Sequence, residues 1–306
     1  MNKKFTAFVS VLIVIAFIAF IIYDSSTPEN TEKEAKATRF DDGLEENWII
    51  ASSVSAGEGS LKAVAVAKNG KVYAGGASFI SAFDSSLKQL WKTNTPEPVT
   101  ALCTSGDTIF AATAELVLVI GKEGKILEEW GPFEGKSFIT SITANGSYVV
   151  YADAGNKMVV VLDRKGGVER IIGQNDGQFV LPSPYFDVAL DRAGNFCAAN
   201  TGHRRIETHA ISGKLLSMFG EPGLEPGSFA GCCNPAHFSL LPDGFVTAEK
   251  GLNRIKILNS DGKFREFVSV KNKFIPSVPL DLAALDGRTI YAANPSDSKI
   301  YKFVRK

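Results

Sequence analysis

Three histidines, three methionines and four cysteines in 306 residues leave little material for most metal and redox chemistry. The chain has no CxxC pair, so the paired-cysteine spacing that zinc modules need is missing. It also has no GxSxG, no HExxH and no phosphate-binding glycine loop with its lysine, which leaves no ready-made catalytic set in view. An excess of one charge is lacking too, with 33 Lys and Arg against 33 Asp and Glu. That balance excludes a polybasic nucleic-acid binder, whose phosphate contacts require surplus cations. Beyond the first residues, no stretch carries the period of an amphipathic helix.

What is present begins with an apolar run. Lys3 and Lys4 precede Phe5–Ile22, in which no residue is charged. About 18 apolar residues suffice for a helix to cross the hydrocarbon layer. Phe20, Ile21, Ile22 and Tyr23 stand where a cleavable signal would need small residues, so the segment 1–23 reads as an uncleaved anchor, a cleaved signal being the alternative. Positive charge before the span places the rest of the chain on the extracytoplasmic side of the membrane, periplasmic or outer. Residues 24–43 are polar and mixed in charge and read as a flexible tether.

From 44 to 306 one pattern recurs. Short β-branched or aromatic strands, such as Val64–Val66, Val72–Ala74 and Ile80–Phe83, alternate with glycine turns. The first turn of each unit falls at Asn69-Gly70, Ser105-Gly106, Asn145-Gly146, Ala193-Gly194, Asp243-Gly244 and Asp286-Gly287. A spacing of about 36–50 residues is that of propeller blades or solenoid repeats. Five units have a second turn, at Ser85-Ser86, Glu123-Gly124, Gly166-Gly167, Ser212-Gly213 and Asp261-Gly262, and the sixth lacks it. A spare strand, Asn47–Ser53, stands before the first full unit. Pairing it with the sixth unit closes a six-bladed ring and removes two exposed sheet edges.

The fourth unit, Gly173–Phe219, reads GQNDGQFVLPSPYFDVALDRAGNFCAANTGHRRIETHAISGKLLSMF. Its glycine-rich approach, Phe, Pro, DxxGN turn and closing Arg-Ile resemble the NHL-repeat family. The fifth unit repeats the pattern with Phe229, Pro235, Asp243-Gly244 and Arg254-Ile255. The resemblance runs from Leu61 to the C-terminus and implies an all-β, six-bladed, NHL-like propeller without fixing an activity. It implies loop-bracing roles for Arg205, Arg254 and Glu249. Lactonase-like propellers place Asn or Asp where this chain has Phe186 and Ala236, which argues against their calcium site. Amidating-lyase propellers hold zinc with several histidines. Here His203, His209 and His237 are all there are, and His209 falls on a third strand.

In a propeller, the approach loops to inner strands share one face with the loops joining second and third strands. This brings Cys232, Cys233, Asn234 and His237 toward Asn200, Gly202, His203 and Arg204, and toward Glu249, Lys250 and Asn253. Of these, Cys232, Cys233, Asn234, His237, His203, Arg204, Glu249 and Lys250 form the candidate surface for a ligand or partner. Adjacent cysteines are the sharpest feature. The pair Cys232/Cys233 could pack inertly, close a strained vicinal disulfide, act in redox exchange, or hold copper or zinc together with His237 and Asp187. Asp187, His237 and, if the turn of the sixth unit is one residue shorter, Asp281 are expected at the inner-strand starts of three successive blades, around one side of the channel entrance, where each can bond a neighbouring loop backbone. Cys103 and Cys197 read as core packing. Asn145-Gly146-Ser147 fits both a glycosylation sequon and an ordinary hairpin turn.

The reading that needs no catalytic set is a membrane-tethered recognition or scaffold module, one monomeric propeller meeting a protein, peptide or glycan in the envelope. A metal-handling or redox accessory, or a metal-dependent lyase or hydrolase, stands as the alternative.

Overall fold

The computed structural model describes residues 12–19, 47–57, 59–133, 135–174, 176–252, 254–270 and 273–306. The chain divides into a unit of residues 1–43 and a unit of residues 44–306. In the first, residues 12–19 are helical. The remainder of the apolar run Phe5–Ile22, and the tether, lie outside the described residues. Among the described residues no helix is long and apolar enough to cross a membrane.

The second unit consists of six four-stranded antiparallel sheets. Their inner strands are Leu61–Val66, Ala101–Ser105, Ile139–Ala144, Val188–Leu190, His237–Leu241 and Asp281–Ala284. Each lies beside the inner strands of the two neighbouring sheets, the sixth beside the first, so the ring is closed. Five sheets are built from four consecutive strands. The sixth takes its outer strand from Trp48–Ser55, which pairs with Lys299–Arg305 in the register Trp48↔Arg305 to Ser55↔Lys299.

Strand position in the blade explains strand composition. The second strands, among them Val72–Gly76 (VYAGG), Val149–Asp153 (VVYAD) and Phe196–Asn200 (FCAAN), are buried at every residue. They are apolar without alternation because a neighbouring blade covers each face. Outer strands such as Gln89–Asn94 and Val168–Ile172 carry charged residues and are largely exposed. Six apolar clusters fill the six blade interfaces. Trp48, 1% exposed, joins the cluster between blades five and six, so the borrowed strand contributes packing as well as hydrogen bonds.

Candidate functional site

The approach face of the ring carries an apolar vestibule of about 390 Å³ to which all six blades contribute. Its walls include Pro98, Phe138, Pro184, Tyr185, Val278 and Pro279, with Lys62 at one side. His237 lines both this vestibule and the central channel beneath it, a cavity of about 230 Å³ bordered by the inner strands. Phe138 is 39% exposed, a large aromatic side chain left open to solvent. Tyr185 stands edge-on to His237 with centroids 6.0 Å apart, and the Lys250 ammonium lies 5.2 Å from the Tyr185 ring. A cation over an aromatic face gains about 0.5–1 kcal/mol at such a partly exposed place and holds the ring's orientation.

Under His237 the ring brings two carboxylates together. His237 Nδ1 is 3.7 Å from Asp187 Oδ2 and 3.6 Å from Asp281 Oδ1. The inner-strand period explains the gathering, since the three residues open or directly precede the inner strands of blades four, five and six. Both acids also tie blades together. Asp187 Oδ2 accepts the Phe238 N–H at 2.8 Å, and its Oδ1 accepts the Ser141 hydroxyl from blade three. Asp281 Oδ2 accepts the Val64 N–H at 2.8 Å across the closure of the ring. Backbone bonding and mutual proximity are therefore both present.

The electrostatics follow from this crowding. Burial pushes the Asp281 carboxyl up to about 6; the Asp187 charge adds to this, while His237 and the Val64 N–H act against it. Burial would lower the His237 imidazole, but the Asp187 and Asp281 carboxylates outweigh it and hold the ring above its ordinary value.

The Phe229–Glu249 stretch is seated beside the vestibule, and its cysteines lie apart from the His–Asp cluster. Cys232 is exposed and Cys233 half-buried, with free thiols whose sulfurs are 3.2 Å apart. The neighbouring Cys233 holds the Cys232 thiol above its ordinary value, with the Arg204 guanidinium acting weakly against this. A thiol raised in this way is not an activated nucleophile at neutral pH. Arg204 Nε donates to the Gly231 carbonyl at 2.6 Å, so the loops of blades four and five do meet. Arg204 follows a short turn, Thr201–His203, and takes a left-handed conformation at φ 54°. Gly202 makes that turn close enough: its N–H donates to the Val180 carbonyl, and a Cβ there would come within 2.5 Å of the same oxygen. His203 is exposed in this turn. Asn200 is buried, its amide bonded to Glu207 and to the Gln178 carbonyl.

Several of the residues singled out in the sequence lie elsewhere than that candidate surface or metal set. The metal set Cys232, Cys233, His237 and Asp187 does not assemble: among the described residues, the one His/Cys/Asp/Glu cluster with metal-ligand proximity is Asp187, His237 and Asp281. Along the approach loop Cys232 is exposed and Cys233 half-buried, whereas Asn234 and Ala236, next to His237, are buried. Glu249, read both as part of the ligand surface and as a loop brace, is 1% exposed and paired with buried Lys256 at 2.9 Å. Its other oxygen accepts the Ala230 N–H, so it braces the loop from beneath. Asn234 is likewise internal, bonded to Ala230 and Lys250. Asn253 lies outside the described residues. Cys197 is buried as expected, whereas Cys103 is half-buried and borders the channel.

His209 ends the third strand of blade four, stacked on Phe196 at 5.0 Å and bonded through Nε2 to Glu207 at 3.0 Å. It is remote in role from a three-histidine site. The vestibule walls are what sequence reasoning missed. Prolines 98, 184 and 279 each stand just before an inner strand, and that repeated placement is the signal that marks them.

No protein-family model matches this chain, and no curated protein matches it. Solved structures do. A streptogramin B lyase structure matches with a TM-score of 0.58 at 13% identity, over 85% of this chain and 98% of that one. The WD40 β-propeller domain of Doa1 matches with a TM-score of 0.58 at 14% identity, over 82% of this chain and 80% of that one. A catalytically inactive virginiamycin B lyase from Staphylococcus aureus with quinupristin gives 0.54 at 16% identity, over 85% and 100%. The fold is a six-bladed β-propeller. At such identities the likeness concerns the fold and leaves the activity to the site.

Proposed function

We propose that this protein is a recognition module, an NHL-type propeller held at the extracytoplasmic face of a membrane by residues 5–22, which binds a peptide or protein partner at the mouth of its ring. The observation that carries the reading is the vestibule, whose proline and aromatic walls are supplied by successive blades above His237. Apolar walls with a few convergent polar groups are the usual make-up of a ligand site, and they suit an inserted apolar side chain whose polar end meets the floor. Phe138, Tyr185 and Lys250 would supply contact area at the rim, with His203 and Arg204 extending it toward the cysteine loop. The uncharged run Phe5–Ile22 behind Lys3 and Lys4 supports the tether and its orientation. A glycan is the second ligand class compatible with stacking on Tyr185. Photo-crosslinking from a residue in the vestibule tests the proposal, with adducts expected from position 138 and not from the outer rim.

A further inference from the structure

We propose that Asp187, His237 and Asp281 form a three-ligand site for a divalent transition cation, best matched by Zn²⁺, in the central channel below the vestibule. The proposal does not depend on what the vestibule binds.

Donor type is the first argument. One imidazole nitrogen and two carboxylate oxygens form a mixed borderline and hard set, which suits zinc and its first-row neighbours rather than copper(I) or calcium. Geometry is the second. Metal–ligand bonds of about 2.0–2.2 Å at angles near 110–120° put ligand atoms about 3.3–3.8 Å apart. Nδ1 of His237 stands 3.7 and 3.6 Å from the nearest oxygens of Asp187 and Asp281, and the three ligand atoms all lie within 4.8 Å of one another. The largest adjustment needed is between the two carboxylates, which a cation of charge +2 would draw together.

The surroundings supply the third argument. Ligating carboxylates are held by outer hydrogen bonds, and here most of those bonds come from backbone. Asp281 Oδ2 is fixed by the Val64 N–H, which leaves its Oδ1 directed at His237. Asp187 is fixed by Phe238 N–H, Val188 N–H and the Ser141 hydroxyl. An oxygen that accepts one N–H keeps a second lone pair for a metal. Three protein ligands leave a tetrahedral ion one further position, as in zinc sites that keep an exchangeable water. All three residues line the central channel, and His237 borders the vestibule as well, so that position opens into the channel.

The test must separate this cluster from the exposed thiols, which would also take up zinc. Full-length protein carrying Cys232→Ser and Cys233→Ser is stripped with chelator and titrated calorimetrically with zinc chloride. One equivalent should bind, and X-ray absorption of the zinc-loaded double-serine protein should show only nitrogen and oxygen bonded to the metal. Asp281→Asn and His237→Gln, each added to the double-serine protein, should weaken binding by on the order of 100-fold. The Asp281→Asn change keeps a side-chain oxygen to accept the Val64 N–H, and circular dichroism checks that each variant is folded. Should Asp281→Asn fail to fold, His237→Gln decides alone. Absence of saturable binding in the double-serine protein, sulfur bonded to its metal, or unchanged affinity in the folded variants would overturn the assignment.

Discussion

Replacing Glu249 with Gln should unfold this propeller at a much lower temperature, although the change is nearly isosteric. Glu249 and Lys256 are both fully buried as side chains, 2.9 Å apart, beneath the loop that carries the cysteines. Lys256 Nζ also donates to the Ser228 carbonyl at 2.5 Å and lies 4.4 Å from the Phe229 ring centroid. The carboxylate faces the Lys256 ammonium as an ion pair through Oε1 and accepts the Ala230 N–H through Oε2. A Gln has one oxygen and satisfies one of them. Removing the counter-charge of a buried ammonium costs about 3–5 kcal/mol. At about 2–4 °C per kcal/mol for a domain of this size, the melting temperature should fall by roughly 6–20 °C. Adding Lys256→Met to Glu249→Gln should restore most of the loss, because the Gln oxygen then serves Ala230 and no buried ammonium is left without a counter-charge. Thermal unfolding followed by circular dichroism at pH 7 reads all four corners of the cycle. A Glu249→Gln protein within about 0.5 kcal/mol of wild type would refute the reasoning, since the ammonium would then not need its partner.

Two further outcomes follow from the same kind of accounting. Glu207 is buried, which alone would raise its carboxyl, but His209, Arg205 and Asn200 outweigh burial and hold it below its ordinary value. A depressed folded-state value contributes stability that is present above the unfolded value of about 4.3 and disappears as pH falls through the lower folded one. The melting-temperature gap between wild type and Glu207→Gln should therefore be widest near neutrality and narrow below about pH 4; a constant gap from pH 7 to 3 would contradict this. Trp48→Ala should cost about 3–5 kcal/mol by opening a cavity where the borrowed strand packs between blades five and six, measured by denaturant titration, and a loss under about 1 kcal/mol would mean that the strand closes the ring by hydrogen bonding alone.

The ring was legible because its elements follow a count. Turn spacing sets the number of blades, and a spare strand at one end opposite a missing strand at the other forces their pairing, as Trp48–Ser55 shows. The same count places Asp187, His237 and Asp281 at equivalent positions, so their proximity could be anticipated without contacts. Of the vestibule, the repeated prolines 98, 184 and 279 carry a signal in the sequence, whereas Phe138, Tyr185 and Val278 do not, because no period before the inner strands marks which side chain faces the axis. Nor could the Glu249–Lys256 pair. Strand periodicity gives the face of the sheet, but in a propeller both faces of the middle strands are covered, and a charged residue there looks solvent-facing until its partner is located. Rarity drew weight to Cys232 and Cys233, yet rarity says nothing of direction, and their sulfurs lie away from the His–Asp cluster.

Whether the mouth of the ring is the recognition surface is tested most directly by placing a photo-crosslinking phenylalanine analogue at Phe138, inside the vestibule, or at Leu127, on the exposed outer strand of blade two. Full-length protein is irradiated in the cells that make it, with and without Tyr185→Ala. A discrete adduct from position 138, lost with Tyr185→Ala and absent from position 127, is the predicted result. Adducts from position 127 with none from position 138 would contradict the account.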